Sequence, residues 1–392
     1  MNAESPAEFR ARKKVAAPRP VSLVNVAQLA GFDEVIDVRS PGEFAEDHVP
    51  GAINCPVLDN DERARIGTLY KQVSPFEAKK TGAALVSRNI ARHLEEKFLA
   101  KPKSWRPLIY CWRGGTRSGA LTHIFRQIGW DAFQLDGGYK AYRRHIVAEL
   151  ATLPAKFEFR VICGPTGSGK SRLLEMLAEH GAQVLDLEQE AAHRGSVLGN
   201  LPGTPQPSQK MFESKIWSRL GNLDTAQPVF VEAESRKVGE LRVPEALISR
   251  MWESRCVRLE IAWPARVALL CEDYRHFIDE PPRLFEKLDC LVALYSRDRI
   301  EEWKELAHTG RWNDLVADLL ANHYDPAYAR STLRNYPRLA EAFVLRSDDA
   351  SHARMRELAL TLLAEQNRRT AAQDPPTANQ YPSTAKPCAA KP

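Results

Sequence analysis

Short apolar runs alternate with stretches of helical spacing, and this rhythm occurs twice along the chain. In the first half, Glu34-Val35-Ile36-Asp37-Val38, Leu108-Ile109-Tyr110 and Phe133-Gln134-Leu135 read as strands, and Ala120 to Ile128 follows one of them with helical spacing. In the second half the apolar runs are Phe157 to Cys163, Ala182 to Leu187, Pro228 to Glu234 and Val257 to Ala262. Strands that alternate with helices predict α/β domains with parallel sheets. The reading is a small parallel-sheet domain over 20–147, with a charged, helical insert at about 59–104. A second α/β domain covers 155–365, joined through a linker at about Ala151 to Lys156, and from Leu284 to about Gln366 its pattern is helical and charged. Residues 1–19 form a basic, proline-bearing tail. Residues 366–392, rich in Pro, Ala, Thr and Gln, are predicted disordered.

Composition narrows the class. The 392 residues suit two domains and tails, and a 44% hydrophobic fraction is ordinary for globular protein. No run of about 18 apolar residues offers a membrane span, and the N-terminus lacks the apolar core of a secretory signal. The seven cysteines are scattered, with no CxxC, which argues against a disulfide framework or a zinc site and for a reducing, cytoplasmic setting. A net charge of +5 permits a nucleic-acid partner.

Two loops carry candidate chemistry. The strand ending at Tyr110 runs into Cys111, then Arg113, Gly114, Gly115, Thr116 and Arg117, and then a helix. A glycine-bearing loop between strand and helix makes a nest of backbone N–H groups, and the helix N-terminus adds positive potential. A thiol there is expected to be mostly thiolate, facing a small anion. The second loop, Gly164-Pro165-Thr166-Gly167-Ser168-Gly169-Lys170-Ser171, is G-x-x-x-x-G-K-S between a strand and a helix, the phosphate-binding P-loop. Lys170 would neutralise phosphate oxygens, and Ser171 is the one candidate ligand for Mg²⁺. Downstream, Glu188, His193, Arg194, Glu232 and Arg275 are candidates for contact with a second substrate, Glu234 is an alternative to Glu232 as the acid after the third strand, and Arg266 is a candidate lid arginine. Trp303, Trp312 and Tyr324, interleaved with Arg297, Arg299, Lys304, Arg311, Arg330 and Arg334, could form an RNA-stacking surface or a packed core.

The segments IDVRSPGEFAEDHVPGAIN, YCWRGGTRS and LDGGYKAYRR resemble a rhodanese domain. That resemblance implies a sulfur- or selenium-handling role for Cys111, cradled by Gly114, Gly115, Thr116 and Arg117, and a structural Asp37–Arg39 pair. Cys111 to Arg117 is also C-x5-R, the spacing of cysteine phosphatases. With VICGPTGSGKS following the rhodanese-type loop, and with RIGTLYKQVSPFEAKKTGA and LEQEAAHRGSVLG elsewhere, residues 20–365 resemble the tRNA 2-selenouridine synthase family. The resemblance implies a transferase acting on tRNA that carries 2-thiouridine at the wobble position. Sulfur is replaced by selenium from selenophosphate, the product of a selenophosphate synthetase, through an S-geranyl intermediate made from geranyl diphosphate. Cys111 would handle selenium and Lys170 the diphosphate. An ATP-dependent sulfurtransferase, a small-molecule kinase fused to a phosphatase-like domain, and a non-catalytic sulfur relay are the alternatives.

Overall fold

The computed structural model describes residues 23–196 and 198–373. The basic segment 1–19 and residues 374–392 lie outside them. Among the described residues no helix is long and apolar enough to cross a membrane.

The first half contains β1 (Leu23–Val24), β2 (Glu34–Asp37), α1 (Pro41–Glu46), β3 (Ile53–Asn54), α2 (Asn60–Gln72), α3 (Pro75–His93), β4 (Pro107–Tyr110), α4 (Thr116–Ile128), β5 (Phe133–Leu135) and α5 (Gly138–Leu150). Its strands form one parallel sheet in the order β1-β5-β4-β2-β3. All four residues of β4 are buried, as expected of a central strand covered on both faces. The insert is helical as expected. Its two helices form a hairpin in which α2 has no buried residue, and α3 turns inward through Leu85, Asn89, Ile90 and His93.

The second half contains β6 (Phe159–Cys163), α6 (Lys170–Glu179), β7 (Gln183–Leu185), α7 (Leu187–Ala191), α8 (Gln209–Gly221), β8 (Val229–Glu232), the small hairpin β9 (Lys237–Val238) and β10 (Leu241–Arg242), α9 (Glu245–Trp252) and β11 (Arg255–Ile261). Helices α10 (Trp263–Asp273), α11 (Arg275–Asp279), α12 (Pro281–Asp289), α13 (Arg297–His308), α14 (Trp312–Leu319) and α15 (Asp325–Asn335) follow, then β12 (Phe343–Ser347) and α16 (His352–Gln373). The second parallel sheet has the order β12-β11-β6-β8-β7. Strand β12 interrupts the helical C-terminal pattern, because Phe343 to Ser347 adds an edge to β11. Helix α16 continues to Gln373, past the boundary expected at 365.

The two halves share one core. Tyr142, Ile146 and Leu150 of α5 pack in the same apolar cluster as Phe212, Ile216 and Leu220 of α8 and Leu247, Ile248 and Met251 of α9. The connecting segment is a packed 3₁₀ turn, Leu153–Lys156, with Leu153 and Pro154 buried. Polar groups join the halves as well. Asp47 is fully buried and accepts hydrogen bonds from Tyr139 Oη (2.8 Å) and from Ser214 Oγ on α8 (2.7 Å). Arg143 pairs with Glu213, and Lys210 pairs with Glu46.

Candidate active site

Strand β4 delivers Cys111 to the floor of a turn, and α4 begins at Thr116. Gly114 has φ +64°, and a Cβ there would lie 2.6 Å from the carbonyl oxygen of Leu135. Gly138, at φ +56°, comes closer still: its Cβ would lie 2.2 Å from the Cys111 carbonyl oxygen. Tyr139 N donates to that same oxygen (2.8 Å) and Lys140 N to the Trp112 oxygen (3.0 Å). The glycine pair before α5 therefore sets the back wall of the thiol loop.

Cys111 Sγ accepts from Gly115 N at 3.3 Å and from Ser118 Oγ at 3.2 Å. Gln134 Nε2 donates to Ser118 Oγ (2.8 Å) and to the carbonyls of Gly114 and Gly115, and the serine proton is shared between the sulfur and the Gly115 carbonyl, each at 3.2 Å. Burial alone would push the Cys111 thiol up. The Ser118 hydroxyl and amide, the Arg117 charge and the Gly115 amide together outweigh it and hold the thiol below its ordinary range. Ser118 and Gln134 were not among the residues singled out from sequence. The pairing of Ile109 with Gln134 between β4 and β5 is what brings Gln134 under the loop.

The cradle residues differ in what they do. Gly115 supplies an amide to the sulfur, Gly114 the turn, and Thr116 the exposed first residue of α4. Arg117 reaches Glu43 at 3.2 Å, and Arg63 of α2 reaches the same carboxylate oxygen at 2.7 Å. Burial would raise the Glu43 carboxyl, but the two guanidinium groups and the Ser40 amide lower it, so it stays ionised. Arg113 is exposed. The Asp37–Arg39 pair is buried and bonded at 2.5–3.0 Å, and Arg39 also donates to the Asp47 carbonyl (2.6 Å) and stacks on Tyr139 at 4.0 Å. That is an internal brace behind the loop.

The P-loop follows β6 in the same way. Gly167 and Gly169 have φ +77° and +78°, and a Cβ on Gly164 would meet the Leu259 carbonyl at 2.9 Å. Ser168 is fully buried, with no hydrogen-bond partner for its hydroxyl. Lys170 Nζ donates to the Gly164 carbonyl (2.9 Å), and Ser171 Oγ donates to Glu188 Oε2 (3.2 Å). Arg266 is not a lid: it is buried, donates twice to the Thr166 carbonyl (2.7 and 3.0 Å) and pairs with Asp325 (2.6 Å). It pins the P-loop backbone to α15.

The P-loop lines an open cleft of about 1060 Å³ whose walls come entirely from residues 166–352. The thiol loop does not line it. Glu188, His193 and Arg194 do. Arg194 donates to the Asp273 carbonyl (2.6 Å) and sits over Tyr274 at 5.1 Å. His193 is buried and accepts from Gly195 N (3.1 Å). Glu232 stands behind the cleft, fully buried, with one oxygen accepting from Glu188 N (2.9 Å) and the other unpartnered. Glu234 is on the cleft wall. Burial raises the carboxyls of Asp186, Glu188, Glu232 and Glu234, and their mutual repulsion adds to it, while Lys170 opposes the rise at Glu188 and Glu234. Arg275 is 77% exposed, pairs loosely with Asp279 (3.8 Å) and is not on the cleft wall. It lies on the short outer helix α11, away from the cleft lining. Next to the cleft, sharing Thr166, Tyr274 and Tyr324 with it, is a small apolar slot of about 60 Å³ that reaches Phe277, Leu284 and Trp312.

Of the two readings of the C-terminal aromatics, packing prevails. Trp303 is fully buried and donates to Asp318 (2.6 Å), Arg299 pairs with Asp318 (2.6 Å), Lys304 with Asp289 (2.7 Å) and Arg311 with Asp314 (2.7 Å). Arg299, Lys304 and Arg311 are thus paired with acids, while Arg297, Arg330 and Arg334 are exposed and make no ion pair among the described residues.

Residues 24–145 match the family described as "Rhodanese-like domain" and residues 157–287 the family described as "tRNA 2-selenouridine synthase AAA domain". Three curated relatives carry the name tRNA 2-selenouridine synthase. The one from Alcanivorax borkumensis is 33% identical over 326 residues, 75% of this chain and 88% of its own. Those from Nitrosomonas europaea and Marinobacter nauticus are 36% and 37% identical over 61% of this chain, and the match spans 63% and 65% of their own lengths.

Proposed function

The chain belongs to the tRNA 2-selenouridine synthase family, and on that premise we propose that it exchanges sulfur for selenium at C2 of a wobble 2-thiouridine in tRNA. The observation that carries this reading is the Cys111 sulfur, whose ionised form is favoured by a hydroxyl, an amide and a nearby guanidinium in a loop shaped for an anion.

The exchange divides between the two loops. At the P-loop, the diphosphate of geranyl diphosphate sits on the amides before α6, with the Lys170 ammonium on its oxygens. The thiouridine sulfur attacks C1 of the geranyl group, the C–O bond breaks, diphosphate leaves and N3 gives up its proton. The apolar slot beside Thr166, lined by Leu198, Phe277 and Trp312, supports placing the geranyl tail on that side of the cleft. Alkylation turns a thiocarbonyl, a poor leaving group, into a thioether that departs as a thiol.

At the thiol loop, selenophosphate supplied by a selenophosphate synthetase binds with its phosphoryl oxygens on the amides of 113–116. Cys111 Sγ attacks phosphorus, the P–Se bond breaks, and hydrogen selenide is released beside the base. Selenium then attacks C2 and geranylthiol leaves, while water takes the phosphoryl group from Cys111. No oxidant or reductant is consumed. Ser118 favours the ionised sulfur needed for the first attack. Mg²⁺ would sit on the diphosphate oxygens beside Ser171 and Glu188, partly screening the diphosphate charge. Among the described residues no group of three or more metal-ligating side chains is placed to hold it alone.

The test is nucleoside mass spectrometry of 2-thiouridine tRNA incubated with the protein, geranyl diphosphate and selenophosphate. The expected product is 2-selenouridine, with S-geranyl-2-thiouridine appearing when selenophosphate is withheld. A melting temperature raised by ATP and not by geranyl diphosphate would replace this reading with the nucleotide-dependent sulfurtransferase.

A further inference from the structure

Helix α2 is poorly explained by packing. Ten of its thirteen residues are exposed, and none is buried. An isolated helix of this length is marginal in water. Its tip presents Tyr70 (54% exposed), Val73 (68%) and Phe76 (70%) side by side around the turn into α3, among the largest exposed apolar side chains of the protein. Such a patch marks an interaction site more often than a packing accident.

The surrounding charge identifies the occupant. Residues 60–93 carry seven Lys or Arg (63, 65, 71, 79, 80, 88, 92) against three acids (61, 62, 77), an excess of four in a chain whose net charge is +5. Arg65, Lys71, Lys79 and Arg88 are exposed and make no ion pair or hydrogen bond among the described residues. Around α13 and α14, Arg299, Lys304 and Arg311 are paired with acids, as described above, whereas Arg65, Lys71, Lys79 and Arg88 of this hairpin are free among the described residues. Exposed rings interleaved with unpaired cations are the surface that stacks unpaired bases and follows a phosphate backbone. The same excess of positive charge opposes docking of a second copy through this face.

The hairpin is also tied to the thiol loop. Arg63, in the first turn of α2, shares the Glu43 carboxylate with Arg117, and Asn60 Oδ1 accepts from Gly42 N (2.9 Å). From that base the helix runs outward for roughly 20 Å at 1.5 Å per residue. We propose that the α2–α3 hairpin is an RNA-docking arm that grips the tRNA through Tyr70, Phe76, Lys71 and Lys79 and so sets its reactive base over Cys111. The proposal rests on the tRNA reading above.

The test uses the full chain and bulk tRNA from cells lacking this activity, with affinity measured by fluorescence anisotropy over a range of salt. Tyr70→Ala with Phe76→Ala weakens tRNA binding by about tenfold or more, the loss of one or two stacked bases. Lys71→Glu with Lys79→Glu weakens it further and flattens the salt dependence. In both variants the melting temperature and the affinity of the P-loop cleft for inorganic pyrophosphate stay at wild-type values. If wild-type protein binds tRNA and both variants bind it equally well, the arm is overturned and the tRNA reading survives. A variant that loses a dimer while keeping its tRNA affinity also overturns it, making the face an interface between copies. Wild-type protein that binds no tRNA overturns both.

Discussion

The loop after β4 and the loop after β6 begin alike, with a buried strand, a left-handed glycine and a helix whose first amides face outward. Their surroundings then diverge. The first encloses a sulfur between Ser118 and Gly115, with Arg117 beside it, and these polar neighbours outweigh burial in favouring negative charge on that sulfur. The second holds Lys170 over Gly164 and backs onto Asp186, Glu188, Glu232 and Glu234, four carboxyls that repel one another and bind protons more tightly than usual. The same backbone device thus surrounds a sulfur in one place and a lysine above four acids in the other, and the side chains behind the amides set the difference.

Replacing the sulfur should separate the two loops most sharply. Cys111→Ala is expected to abolish 2-selenouridine while S-geranyl-2-thiouridine persists, read by nucleoside mass spectrometry; selenouridine at wild-type level would remove the sulfur from the reaction. Lys170→Ala should cut geranylation by about 10- to 100-fold, the loss of one charge-assisted contact to phosphate, and should lower selenation with it. A geranylation rate unchanged in this variant would mean the diphosphate sits elsewhere.

Smaller changes sharpen the comparison. Ser118→Ala removes the hydroxyl that favours the thiolate, so the Cys111 pKa moves up and alkylation by iodoacetamide at neutral pH slows by several-fold; an unmoved pH profile would show the hydroxyl to be idle. The last effect is on stability. Glu232 binds its proton more tightly in the folded protein than in the unfolded chain, so its contribution is present at low pH and is lost as pH climbs from the ordinary carboxylate range, near ~4.3, through its raised value. Glu232→Gln keeps an acceptor for the Glu188 amide and cannot ionise. Its melting temperature should exceed that of wild type by a few degrees at pH 8, and the gap should close toward pH 5. A gap independent of pH would mean that Glu232 binds its proton no more tightly in the folded protein than in the unfolded chain.

Both loops were readable from residue order, because strand, glycine turn and helix start are local signals. The two parallel sheets followed from the same alternation. Local patterning could not reveal the partners that come from elsewhere. Gln134 reaches the thiol loop only through the register of β5 on β4, Gly138 only because α5 starts against the Cys111 carbonyl, and Arg266 only because α10 crosses the P-loop. The aromatic and basic residues after Leu284 have the same spacing whether they pack or bind RNA, and the acids at Asp289, Asp314 and Asp318 resolve the matter only once the helices are assembled. The insert was legible as helical, but the lack of burial of α2 beside the half-buried α3 was not, since a half-buried and an unburied helix can share one pattern.

The shared core beneath α5, α8 and α9 has a practical consequence. A chain severed near residue 156 would leave each fragment with a raw apolar face, and the Asp47 carboxylate would lose Ser214. Neither half is a cassette to be lifted out or traded with a distant cousin. The two loops are mounted on one core at a fixed spacing, so on the proposed reading it is the RNA that must travel from one to the other.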